Sequence, residues 1–131
     1  MIHWKDATKS NLRLLKAICI VFRKHPKLLS FLFDPHSPVL RAQPEALMKE
    51  SRDFSSGEDL LVRVALDMWS GSGEAYVYEL IEILDNTNLF NVLEGLQFLK
   101  AKSEGWEGPV YRQLKTDSDN LRRQLKLDNE S

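Results

Sequence analysis

The sequence of 131 residues predicts an all-α fold, a compact bundle of five to six short helices, and three observations carry that reading. Apolar residues recur every three or four positions along most of the chain, while the two-residue alternation of a half-buried strand is nearly missing. Boundary residues (Pro, Gly, Ser, Asn, Asp) fall between the periodic stretches, where they start and stop helices. A hydrophobic content of 43% is enough for a single core in one domain of this length. We therefore expect one helical domain over residues 1–105, followed by a polar extension over 106–131, partly helical and frayed at its end.

The first helix is expected from about Asp6 to His25, where Leu14, Leu15, Ile18, Val21 and Phe22 share one side. Pro26 closes it and is also tolerated in the first turn of a second helix, whose short apolar face is Leu28, Leu29, Leu32 and Phe33. Three prolines between Asp34 and Pro44 make that segment a loop. A third helix begins at Pro44 with Ala46, Leu47 and Phe54 as its apolar residues.

Three consecutive helices follow, over 57–70, 73–85 and 88–104, and their short joints imply antiparallel packing. Ser55 and Glu58 have capping-box spacing before the first of them. Its core face is Leu60, Leu61, Val64, Ala65, Met68 and Trp69. In the helix over 73–85, Tyr76, Val77, Leu80, Ile81 and Leu84 form the inward stripe, with Glu74, Glu79, Glu82 and Asp85 outside. Leu89, Phe90, Leu93, Leu96 and Leu99 mark the last helix, which Gly105 stops. Beyond it, a partial helix over 110–127 carries few large aliphatic residues.

Between two of these helices lies Trp69-Ser70-Gly71-Ser72-Gly73-Glu74, which invites comparison with a phosphate-binding glycine loop. A dinucleotide fingerprint needs a third glycine where Tyr76 stands, and a Walker loop needs a lysine and a hydroxyl residue where Glu74 and Ala75 stand. Joint chemistry accounts for every position. Gly71 takes the left-handed conformation that ends a helix, Ser72 caps the next, and Glu74 faces its positive end.

No catalytic constellation assembles, and the chain reads as a non-enzyme without a cofactor or an evident small-molecule substrate. His3, His25 and His36 are far apart and lack the spacing of a metal pair. Asp34 and His36 share a loop but have no third ligand, so Asp34-Pro35 reads as a turn. Cys19, the single cysteine, cannot form an intrachain disulfide; Lys16 and Arg23 lie one turn away on either side, yet its position near the apolar face points to an inert buried thiol. Trp69, Tyr76, Phe90 and Phe98 fall at helical spacing and read as core. Leu12–Phe22, interrupted by Arg13 and Lys16, is too short to span a bilayer, and a cytoplasmic location follows as the default.

Charge is the feature that points to function. The formal net charge of −1 conceals seven basic residues against one acid in residues 1–33, and fourteen acids against six bases in residues 34–107. Lys9, Arg13, Lys16, Arg23 and Lys27 fall within about 80° of one another on a wheel drawn for the first helix, opposite its core face. Such a face attracts nucleic-acid phosphate, an anionic membrane surface or an acidic protein surface, or else it is simply a solvated face. The acidic protein surface could belong to a second copy, through the outer face of the helix over 73–85. Trp106, just beyond a helix end, is a further candidate anchor. The sequence thus reads as a small protein-interaction or regulatory module acting by binding, with Lys9, Arg13, Lys16, Arg23, Lys27 and Trp106 as contacts. The alternative is a nucleic-acid-binding accessory protein that uses the same cations together with Lys24.

Overall fold

Residues 2–101 and residues 120, 121, 123 and 124 are described by the structure, a computed structural model. The chain is all-α. Its described residues form α1 (Lys9–Val21), α2 (Lys27–Leu32), α3 (Pro44–Ser51), α4 (Ser56–Ser70), α5 (Val77–Ile83) and α6 (Asn86–Ala101). Asn120, Leu121, Arg123 and Gln124 are helical and exposed. The rest of the expected extension, with Trp106, lies outside the described residues.

Side-chain caps set where α1 begins. Thr8 Oγ1 accepts from the Asn11 N–H at 3.0 Å, and Asn11 Oδ1 accepts from the Thr8 N–H at 3.1 Å, a complete capping box. The helix therefore starts at Lys9 and not at Asp6. It stops at Val21, short of His25, because its last turn tightens into an Arg23 N–H bond to the Ile20 carbonyl, and Pro26 disfavours helix at the residue before it. Pro26 then caps α2. The proline-rich loop is tied at both ends. Asp34 Oδ1 accepts from the His36 and Ser37 amides, closing a turn, and Phe33 and Leu40 form an isolated antiparallel bridge. Trp4 donates from its indole to the Asp34 carbonyl at 2.8 Å, and its ring joins those of Phe33 and Trp69 in a cluster.

The core lies between α1, α2, α3, α4 and α6, which contributes the fully buried Val92. Ile18, Val21, Phe22, Leu32, Leu47, Leu60, Leu61 and Leu66 are fully buried, so each contributes about 1.5–3 kcal/mol relative to exposure. α3 packs on α4, where the buried Ser51 hydroxyl donates to Asp59 Oδ1 and shares its contact with the Met48 carbonyl. At the start of α4, Ser55 Oγ accepts from the Glu58 N–H, as the spacing predicts. The Glu58 carboxylate, however, accepts from the Ser55 hydroxyl in place of the Ser55 backbone, so only one orphan amide is satisfied there.

α6 takes α1 as its principal neighbour. Arg23 reaches Asn91 and Glu94, while Ala17 and Val21 meet Gly95; positions falling along α1 meet positions rising along α6, so the two helices are antiparallel. Their axes approach closely at Gly95. A Cβ built there would lie 2.7 Å from Val21 Cγ2 and 2.9 Å from the Ala17 carbonyl oxygen, so only glycine fits without displacement.

Candidate functional site

The clearest concave surface bearing predicted site residues lies along the N-terminal half of α1. Lys9, Ser10, Leu12, Arg13, Lys16 and Phe98 line a cleft of about 500 Å³. The Gly95 contact positions it: one turn before Ala17 on α1 stands Arg13, and nearly one turn after Gly95 on α6 stands Phe98. The two helices thus hold the cations and an aromatic ring in a fixed relation. Lys9 and Lys16 are exposed, and neither makes an ion pair among the described residues. Leu12 is 43% exposed and, with Phe98, gives the cleft an apolar component between positive charges. Phe98 is half-buried here, which corrects the expectation that it belongs wholly to the core.

The basic stripe is shorter than its helical wheel implies. Arg23 is recruited to α6, donating to Glu94 Oε2 at 2.9 Å and to Asn91 Oδ1 at 3.3 Å. It ties two helices together. Lys27 belongs to α2, because α1 ends before it, and so does not continue the α1 face. Three of the five predicted cations, Lys9, Arg13 and Lys16, remain together. Cys19 is exposed, contrary to the expected buried position. Neighbouring atoms nevertheless desolvate its thiol enough to raise its pKa, opposite to the activation that flanking cations could have produced.

The glycine segment does bind an anion, and that anion is the protein's own. The Asp67 carboxylate accepts from three successive amides: Gly73 at 2.7 Å, Glu74 at 3.1 Å and Ala75 at 2.9 Å. These backbone N–H groups, which could otherwise cradle a phosphate, already have a charged acceptor. Gly71 ends α4 in the left-handed region at φ 70°, as its position predicts. Ser72 does not cap α5. Its Oγ lies 2.7 Å from Ser70 Oγ, and α5 begins only at Val77, where Glu79 Oε1 reaches back to the Tyr76 amide. Glu74 departs from its expected role as well: it adopts φ 53°, and its carbonyl accepts from Arg63 Nη1 at 3.2 Å.

Sequence periodicity misses a second surface. Arg63 on α4 donates to both Glu79 oxygens, at 3.1 and 2.9 Å, and also pairs with Asp59 at 3.3 Å. The Arg63 hydrogen bond, followed by the bond to the Tyr76 backbone, holds the Glu79 carboxyl below its ordinary pKa. This clamp turns Glu79 inward and rolls the helix roughly a quarter-turn from its apolar stripe. Val77 and Ile81 consequently stand 73% and 69% exposed. Tyr76 and Tyr78 are exposed too, with their rings parallel and 6.1 Å apart. Leu84 is buried and Leu80 half-buried, so only part of the predicted stripe packs inward.

Beside α5 runs an apolar groove of about 260 Å³ between α4, the glycine segment and α6, lined in part by Met68, Leu80, Leu96 and Leu99. Among the described residues no group of three or more His, Cys, Asp and Glu side chains is arranged to hold a metal ion, and no helix is long and apolar enough to cross a membrane. Comparison with known protein families, curated proteins and solved structures finds no match.

Proposed function

We propose that this chain is a small protein-interaction module whose α1/α6 cleft receives an acidic segment of a partner protein. The observation that supports the reading is the joint lining of one cleft by Lys9, Arg13 and Lys16 together with Leu12 and Phe98. Cations alone would suit any polyanion. Apolar groups set between them favour a ligand that also carries apolar side chains, because desolvated anchors supply affinity while charges supply steering and register. Loss of Arg23 to Glu94 and of Lys27 to α2 also shortens the basic track available to a nucleic-acid backbone.

Binding to nucleic acid is the competing reading, and salt separates the two. Three phosphate contacts would release about three counterions, so affinity would fall steeply with salt and show little base preference. The test compares wild type with a variant carrying Lys9, Arg13 and Lys16 changed to Gln. Capture of protein from the native cell extract should depend on the three cations and persist at ~150 mM salt. Duplex or single-strand binding at ~50 mM salt that the triple change abolishes would instead establish the competing reading.

A further inference from the structure

The molecule carries two exposed surfaces of opposite charge that are matched in form. One is the α1/α6 cleft, with Lys9 and Lys16 on either side of Arg13. These lysines lie seven positions apart, a rise of about 10 Å along a helix. The other is α5, whose seven residues also extend about 10 Å. α5 has no buried residue; it presents Val77, Ile81 and the acid Glu82 to solvent. Leu12 and Phe98 provide the apolar counterpart to Val77 and Ile81. Glu82 has no ion-pair partner among the described residues, although its own chain is strongly basic in residues 1–33. The Arg63–Glu79 clamp and the Asp67 nest hold α5 in this outward orientation before any partner arrives, which lowers the ordering cost of docking.

We propose that the occupant of the cleft is α5 of a second copy of this chain, docked as a helix in a groove with Glu82 against Lys9 and Lys16 and with Val77 and Ile81 against Leu12 and Phe98. This inference rests on the reading of the cleft as a protein-binding site and names its partner. Because the two surfaces are different, the contact is heterologous: each bound copy still offers one free cleft and one free α5, so assembly continues until a ring closes or a chain of copies grows. A contact of this size is weak and concentration-dependent, and salt weakens it by screening the exposed charges.

Sedimentation equilibrium of the full chain tests the proposal. Wild type should rise from its monomer mass of 15.1 kDa with increasing concentration, and association should weaken at least several-fold between about 50 and 300 mM salt. Two variants, each disabling one face without reversing its charge, make the test specific: Lys9→Gln with Lys16→Gln for the cleft, and Val77→Gln with Glu82→Gln for α5. All four positions are exposed, and circular dichroism and melting verify that both variants fold. Each variant alone should stay monomeric, whereas a mixture should form a 1:1 dimer and stop there, joined through the one intact cleft and the one intact α5. Wild type that remains monomeric up to about 0.5 mM, or a mixture that does not associate, overturns the proposal. If the triple Gln change still abolishes capture of a different protein from extract, the cleft reading survives while self-association is rejected.

Discussion

Gly73 shows how closely single positions constrain this fold. A Cβ at that position would lie 1.7 Å from the Arg63 carbonyl oxygen and 2.9 Å from the Asp67 amide nitrogen, both fixed backbone atoms of α4. Gly73→Ala should therefore destabilise by more than about 3 kcal/mol, since the segment has to leave α4 to accept a methyl group. Gly71 has open space around it, so Gly71→Ala should cost only about 1–2 kcal/mol through its positive φ. Ser72→Ala should be nearly silent because no helix depends on that hydroxyl for its cap. Urea unfolding of the three variants checks the order, and equal losses at all three positions would contradict the joint described here. The sequence shows that these residues form a turn and that Gly71 ends a helix. It does not show that Asp67 fills the amide nest, because an acceptor six to eight positions away has no local spacing signature.

Charge decides the orientation of α5. Glu79 is held below its ordinary pKa by Arg63, so its stabilising contribution is fully present above the unfolded-state pKa and is lost as pH falls through the lower folded-state value. Arg63 is shifted upward and keeps its charge across that range. Glu79→Gln should consequently lower the melting temperature at pH 6 and have a diminishing effect as pH falls through the lowered folded-state pKa, where wild type too loses the carboxylate. A gap that stays constant with pH would contradict the assigned clamp. Apolar periodicity predicts α5 with Val77 and Ile81 inward, because it weighs burial alone; a bidentate pair bridging sixteen positions rolls the helix the other way. The same limit explains the loss of Arg23 and Lys27 from the basic stripe. A helical wheel assumes one uninterrupted helix, and both the tightened turn after Val21 and the Glu94 acceptor lie outside its view.

At the α1/α6 crossing, packing sets the shape of the proposed binding cleft. Gly95→Ala forces a methyl group against Val21 and the Ala17 carbonyl, and overpacking of this kind costs about 1–3 kcal/mol. It should also separate the helices that hold Arg13 and Phe98, so a Gly95→Ala chain that still folds should bind the proposed partner more weakly although no cleft residue has changed. Calorimetric melting with a parallel binding measurement checks both effects; unchanged stability would contradict the close approach at Gly95.

Across the whole molecule, the all-α bundle was legible because its core residues repeat at helical period, and the division between a basic N-terminal quarter and an acidic middle was visible by inspection. The cleft was legible only in part: Lys9, Arg13 and Lys16 follow from local spacing, whereas Phe98 joins them through the tertiary contact at Gly95. The central claim is that the face formed by these residues is where a partner protein binds. Placing a photo-crosslinking amino acid at Leu12, which is exposed within the cleft, and irradiating living cells tests it most directly, with the same substitution at exposed Val39 as the control. The account predicts a discrete protein adduct at Leu12, from a second copy or another acidic partner, that Lys9→Glu with Lys16→Glu abolishes. Adducts at Leu12 no stronger than those at Val39, or adducts formed only with nucleic acid, would contradict it.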